Sequence, residues 1–321
     1  MYTISQPSEI IFGKNSVKEY KFPQNCLLIT SKGSKERGWI EYLDSPNLEI
    51  FDNVEPNPSI EVTEKIINKF TSSNFSYIIG MGGGSSLDVA KFVAHKMNKS
   101  KCLIPTTFGS GSEVTRISVL KVEGRKRSFH DDGLIADIAI IDPIFLQNVP
   151  QTVRNNSFID ACAQCTEAYD SKNSNFYTKF LCETAFDLLE DGIMSNNNEK
   201  IALGSLISGL GFGNSSTTLG HALSYVYSNE GYSHGHALAF TTTVSHKFNN
   251  SKFFTRFLNL VKKLNFEKIS LEEKIESATE LILEDRKHID NNPVPVSKRD
   301  IMFLLEQIQN QNFDLNEKNH G

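Results

Sequence analysis

The run Tyr77-Ile-Ile-Gly-Met81 passes without a break into Gly82-Gly-Gly84-Ser-Ser-Leu-Asp88, and a helical pattern follows over Val89–Lys96. A short apolar run stopped by three consecutive glycines and continued by a helix reads as a β-strand, a tight turn and an α-helix. Such a junction points free backbone N–H groups and the positive end of a helix dipole at one place, which suits an anion. Three glycines let the backbone approach a pyrophosphate closely, and Ser85 or Ser86 can cap the helix or donate to an oxygen. The spacing is neither G-x-G-x-x-G nor G-x-x-x-x-G-K-[ST], so neither the Rossmann fingerprint nor a P-loop is present.

The surrounding sequence agrees with an open, mostly parallel α/β arrangement. Strands are expected at Glu9–Gly13, Cys26–Thr30, Leu48–Phe51, Cys102–Thr107, Ile117–Val122 and Ile138–Asp142, with a helix over Ser59–Phe70. Arg125-Lys-Arg127 reads as a solvated hairpin tip. The character changes at Asp142-Pro143, and from Pro150 the pattern is helical, including single helices over Thr152–Tyr169 and Leu271–His288. The expected architecture is therefore an α/β domain over residues 1–148 and an all-helical domain over 149–321. Asn312–Gly321 is polar and reads as a frayed terminus.

The chain has 321 residues, enough for two domains with a core each. A net charge of −5 argues against a nucleic-acid surface, and no apolar run reaches the length of a membrane span. The N-terminus lacks the basic and apolar regions of a secretory signal, so a cytoplasmic protein is expected. Cys162 and Cys165 form a C-x-x-C inside an expected helix with no partner motif. They read as buried thiols, like Cys26, Cys102 and Cys182.

The second half carries a constellation of another kind. Asp160 and Gln164, four apart, project from one helical face, while His221 and His234 meet them only if the chain folds back. One carboxylate, one amide oxygen and two imidazoles can hold a single divalent metal with a position open for substrate. His95, His246 and His288 read instead as core imidazoles, and His236 as lying near the site.

Five stretches, in order, carry a resemblance: Glu9-Ile-Ile-Phe-Gly13; Val54-Glu-Pro-Asn-Pro58; the glycine segment through Lys91; Pro105-Thr-Thr-Phe-Gly-Ser-Gly-Ser-Glu-Val-Thr115; and Phe158–Phe240. Together they resemble the iron-containing (group III) alcohol dehydrogenase family. The resemblance implies a dinucleotide-binding α/β domain, a helical domain bearing the metal, and an active site in the cleft between them. It also implies a homodimer joined through N-terminal edge strands.

On the matching positions, the resemblance assigns the metal, Fe2+ or Zn2+, to Asp160, Gln164, His221 and His234. Gln164 departs from the usual histidine, and its neutral amide oxygen leaves two outcomes, a metal held more weakly or none. Tyr225 departs from a histidine on the proton path, so a proton can arrive through Tyr225, His236, the cofactor ribose or solvent. Gly83, Gly84, Ser85 and Asp88 are assigned to the pyrophosphate; Asn57, Thr106, Thr107 and Thr115 to the adenine and ribose. Ser31 stands where relatives that prefer NADH carry an aspartate, which favours NADPH or use of both cofactors. A lysine beside the nicotinamide ribose falls on Lys126 or, without a gap, on Ser128. The combination of Gln164, His221-Ala-Leu-Ser-Tyr225 and His234-Gly-His-Ala-Leu-Ala239 is most similar to the branch that reduces phosphonoacetaldehyde to 2-hydroxyethylphosphonate. Other aldehydes or alcohols, a dehydroquinate-synthase-like lyase and a non-catalytic dinucleotide-binding relative remain as alternatives. A phosphonate substrate needs cationic partners; Arg116, Lys126 and Arg154 lie near these motifs, and nothing in the sequence places them in the pocket.

Overall fold

The computed structural model describes residues 1–310, so the terminus expected to fray lies outside the described residues. Eight strands follow in chain order: β1 (Glu9–Phe12), β2 (Cys26–Ile29), β3 (Glu49–Phe51), β4 (Tyr77–Gly82), β5 (Ser100–Pro105), β6 (Ile117–Val122), β7 (Arg125–His130) and β8 (Ile138–Ile141). All but β6 and β7 form one parallel sheet in the order β1-β8-β5-β4-β2-β3. The inner strands are apolar because helices cover both faces, and every residue of β2 is buried. The outer strands β1 and β3 are only partly buried, as edges are.

Strands β2 and β4 end side by side, tied by a hydrogen bond from Thr30 Oγ1 to Met81 O at 2.6 Å. The loops that follow them therefore share the carboxyl edge of the sheet, where open α/β sheets bind ligands. Between the strands run α1 (Ser16–Glu19), α2 (Lys32–Glu36), α3 (Ile60–Phe70) and α4 (Gly84–Lys96). Helix α4 begins five residues before the expected Val89. Gly83 is its N-cap, and the N–H groups of Ser86 and Leu87 already bond to Gly83 O. Gly82 sits at φ +150°, and a side chain there would meet Ser86 Oγ at 2.7 Å.

The basic run is not a hairpin tip. The tip is Glu123-Gly124, both at positive φ as a two-residue turn of this hand requires, and Arg125–Arg127 opens β7. Alternation along β7 then puts Lys126, Ser128 and His130 on one face.

The second half is helical: α5 (Gln151–Asp170), α6 (Phe176–Ser195), α7 (Asn198–Phe212), α8 (Leu219–Asn229), α9 (His234–Phe248) and α10 (Phe254–Leu264), then α11 (Ile275–Leu283), α12 (Arg286–Asn291) and α13 (Lys298–Asn310). The single helix expected over Leu271–His288 is broken. Asp285 leaves the helical conformation and its carboxylate accepts from His288 N, capping a separate helix, α12. Ile104 and Ile141 of the sheet share one apolar cluster with Ile159, Leu189 and Leu223 of the helices, so the two halves pack as one body. Among the described residues no helix is long and apolar enough to cross a membrane.

Candidate active site

A cavity of about 330 Å³ lies where the carboxyl edge of the sheet meets the helical half. Asn57, Gly84, Ser85, Thr107 and Thr115 line it from the sheet side, together with Asp88. Lys126 and Ser128, the two alternatives for one role, both face it from β7. Asp160, Gln164, His221, Tyr225 and His234 line it from the helices.

Helix α5 sets the deepest wall. Asp160, Gln164 and Glu167 recur at i, i+4 and i+7 and form one stripe. Helix α8 supplies His221 and Tyr225, and the first residue of α9 is His234. The first turn of α9 lies so close to α5 that a Cβ on Gly235 would fall 1.9 Å from Asn156 O. That contact brings His234 Nε2 within 3.9 Å of Asp160 Oδ1. Ligand atoms of Asp160, His221 and His234 all fall within 4.8 Å of one another.

Hydrogen bonding orients these groups. Ser224 Oγ donates to His221 O at 2.8 Å, which uses its only proton, so His234 Nδ1–H points at Ser224 Oγ and Nε2 keeps its lone pair. His221 Nδ1 lies 3.2 Å from Glu167 Oε1, near enough for charge attraction but out of line for a hydrogen bond. The Glu167 carboxylate also accepts from Thr218 N, Thr218 Oγ1 and Thr242 Oγ1. Burial alone would raise the pKa of Glu167, yet His221 and these donors hold it down at about 2. Burial pushes Asp160 up to about 7, against the pull of His221 and Gln164. His234 is held well below its usual value by burial and by His221 and Lys126.

These side chains fit a divalent metal. Two imidazoles and a carboxylate are a donor set that Fe2+ and Zn2+ both accept. Gln164 donates Nε2–H to Asp160 Oδ1 at 2.9 Å, and its buried Oε1 has no hydrogen-bond partner among the described residues. An orphaned amide oxygen on the wall of such a cluster suits a cation.

Other sequence-predicted residues point away from the cavity, adjoin it, or are already engaged within the fold. His236 is turned away from the cavity: its Nε2 bonds to Glu267 O at 2.6 Å and its ring packs against Tyr232 and Phe266. Two residues along a helix are about 200° apart, so His234 and His236 face opposite ways. Ser31 caps α2, accepting from Ser34 N, and Thr106 is buried with its N–H on Gly82 O. Gly83 adjoins the cavity as the cap of α4. Asp88 is occupied: it accepts from Ser112 Oγ and Val119 N and pairs with the buried Lys91. Arg116 pairs with Asp132, and Arg154 bonds to Asn196 and Asn198 beside a smaller, separate cavity.

His288 is the reverse case. It was expected in the core but lines the cavity, its ring 6.2 Å from that of His221, with Nδ1 2.6 Å from Asp285 Oδ2. His246 is buried and bonded to Thr166 Oγ1, whereas His95 is exposed on the last turn of α4. All five cysteines are buried and free, and burial raises the thiol pKa of Cys162 and Cys165, as inert core thiols require.

Two family models match the chain, iron-containing alcohol dehydrogenase over residues 7–143 and the C-terminal part of the Fe-containing alcohol dehydrogenase family over residues 155–284. The chain belongs to the iron-containing alcohol dehydrogenase family. It is 33% identical over 237 residues to long-chain-alcohol dehydrogenase 1 of Geobacillus thermodenitrificans, covering 63% of this chain and 60% of that protein. It is 34% identical over 209 residues to 4-hydroxybutyrate dehydrogenase of Clostridium kluyveri, covering 56% of each. The chain thus spans less than two thirds of the length of these curated relatives. An iron-containing alcohol dehydrogenase from Thermotoga maritima has the same fold, with a TM-score of 0.87 at 23% identity, covering 97% of this chain and 100% of that one.

Proposed function

We propose that this protein reduces a small aldehyde to the alcohol, and runs the reverse reaction, with NADPH or NADH and a divalent metal, Fe2+ or Zn2+. The observation that carries the reading is one cavity lined on one side by the N-terminal turn of α4 and on the other by Asp160, Gln164, His221 and His234. Family membership supports it.

Gly83, Gly84 and Ser85 offer backbone and hydroxyl donors to a pyrophosphate at the start of α4, and Asn57, Thr107 and Thr115 wall the dinucleotide. When bound, NAD(P)H supplies the hydride. Asp160, His221, His234 and the Oε1 of Gln164 would hold the metal, which supplies Lewis-acid polarisation of a carbonyl. Burial raises the phenol pKa of Tyr225, so it stays protonated at neutral pH and acts as a hydrogen-bond donor to a substrate oxygen rather than as a base. With His236 outside the cavity, the routes left by which a proton would reach the product are Tyr225, the cofactor ribose and solvent.

Within this class our substrate reading is phosphonoacetaldehyde, reduced to 2-hydroxyethylphosphonate. The combination of Gln164, Tyr225 and the His234–Ala239 segment supports it, as does the name of the Clostridium kluyveri relative, whose hydroxy acid also carries an anion on a short chain. Oxidation of NADPH by phosphonoacetaldehyde, butanal and lactaldehyde, measured on protein of known metal content, tests both levels. Preference for butanal would sink the phosphonate reading. Absence of metal and of turnover with every aldehyde would sink the activity.

A further inference from the structure

Three lysines, Lys121, Lys126 and Lys287, line the cavity, and none forms an ion pair with a carboxylate among the described residues. Lys121 and Lys126 stand directly opposite each other across the β6–β7 hairpin, an unfavourable placement for like charges. A cavity that gathers ammonium groups without neutralising them suits an anionic occupant. The hairpin pair belongs to the sheet half, where the dinucleotide is read to lie. Lys287 comes from the helical half, on α12, beside His288, whose ring is 6.2 Å from His221 and 5.9 Å from Tyr225.

We infer that Lys287 is the anchor for the acidic head group of the substrate, a phosphonate on a short chain whose aldehyde end lies toward Asp160, His221 and His234. This rests on the reading of the cavity as the site of aldehyde reduction. Asp285, the acid that acts on Lys287, is engaged by His288, and Arg116, another cation near His130, is already paired with Asp132. Lys287 Nζ donates to His130 Nε2 at 2.7 Å, which fixes the side chain and leaves two N–H groups free. His130 is held near pKa 4 by burial and its cationic neighbours, so at neutral pH it stays an acceptor. Lys287 is exposed as a residue. Its ammonium is crowded enough that burial brings its pKa to about 8, with Asp285 opposing. A phosphonate would supply the missing counter-charge.

The test uses the metal-loaded 321-residue protein, comparing wild type with Lys287→Met and Lys287→Arg. The KM for phosphonoacetaldehyde should rise about ten- to a hundredfold in Lys287→Met while kcat changes little, and Lys287→Arg should recover most of the loss. Kinetics with butanal and the KM for NADPH should stay as in wild type, which also shows that the variant is folded. Equal loss with both aldehydes, or a loss confined to NADPH, would overturn the anchor. Calorimetric binding of 2-hydroxyethylphosphonate separates this inference from the activity. Should wild type reduce no aldehyde, binding lost in Lys287→Met would still support the anchor, and equal or absent binding in both proteins would refute it.

Discussion

Gln164 donates from its amide nitrogen to Asp160 Oδ1 at 2.9 Å, one helical turn away, and its amide oxygen is left buried without a partner. The nitrogen holds the carboxylate in place, and the oxygen is free to act as a neutral ligand. Replacing Gln164 with histidine exchanges a weak donor for a strong one at the same position on α5. Gln164→His is expected to tighten metal binding by about ten- to a hundredfold, a range comparable to that of other changes next to metal ligands. Chelator competition monitored by metal analysis measures it. Unchanged aldehyde preference would mark Gln164 as a ligand and not a substrate determinant.

Glu167 lies 3.2 Å from His221 Nδ1 and holds the imidazole by charge attraction. Glu167→Gln is expected to weaken metal binding by about ten- to a hundredfold. The acid limb of stability should change as well. Because the folded pKa is about 2 and the reference value 4.5, Glu167 stabilises the fold above pH 4.5, and that stability is lost as pH falls from 4.5 toward 2. Thermal melts of the two proteins from pH 7 down to pH 3 should therefore converge. A constant gap would show that the carboxylate charge is not what matters.

The sequence made some of this architecture readable and hid the rest for identifiable reasons. The glycine junction at Met81–Gly84 was legible because its information is local, although the start of α4 was not, since glycine and serine carry little helical signal. Asp160 and Gln164 were legible from helical spacing, and His221 and His234 from residue type. Glu167 lies on the same stripe, yet a glutamate on a helix is most often solvated, so only its buried donors reveal its role. His236 misled because nearness in sequence on a helix is not nearness in space. Lys287 and His288 could not be found, since nothing local reports that the helix breaks at Asp285 or that Lys287 meets His130 of β7, more than 150 residues earlier.

Ser31 follows β2 at the carboxyl edge of the sheet and caps α2 through its hydroxyl. Aspartate is an equally good cap, so Ser31→Asp should fold normally. Its carboxylate would accept from ribose hydroxyls and repel a 2′-phosphate. The ratio of kcat/KM for NADPH to that for NADH is expected to fall by about tenfold or more, in line with the worth of a charged contact. An unchanged ratio would remove Ser31 from the cofactor site.

Glu113 is 2% exposed, and burial lifts its pKa to about 7 despite the nearby Lys91. A raised acid stabilises the fold fully below its unfolded value of 4.5 and loses that contribution as pH climbs through 7. Glu113→Gln, which is neutral at every pH, should flatten the curve: little change in melting temperature near pH 5 and a higher one at pH 8. A lower melting temperature at pH 8 would mean that the ionised carboxylate makes contacts the glutamine cannot replace.

Gly235 tests whether the contact between α5 and α9 builds the metal cluster or merely accompanies it. A Cβ at this position would lie 1.9 Å from Asn156 O and 2.6 Å from its carbonyl carbon, both main-chain atoms that no rotamer change can move. Gly235→Ala must therefore push the first turn of α9 off α5, and His234, one residue earlier, moves with it. Helix propensity alone would favour alanine by up to about 1 kcal/mol, so a stability gain is the outcome if the contact can relax freely. The close approach dominates instead, and the variant is expected to melt lower and to lose metal affinity by at least about tenfold, as a displaced ligand would. Thermal melts with and without added Fe2+ or Zn2+ separate the two effects. A metal-dependent rise in melting temperature equal to that of wild type would show that His234 does not need this contact to reach Asp160.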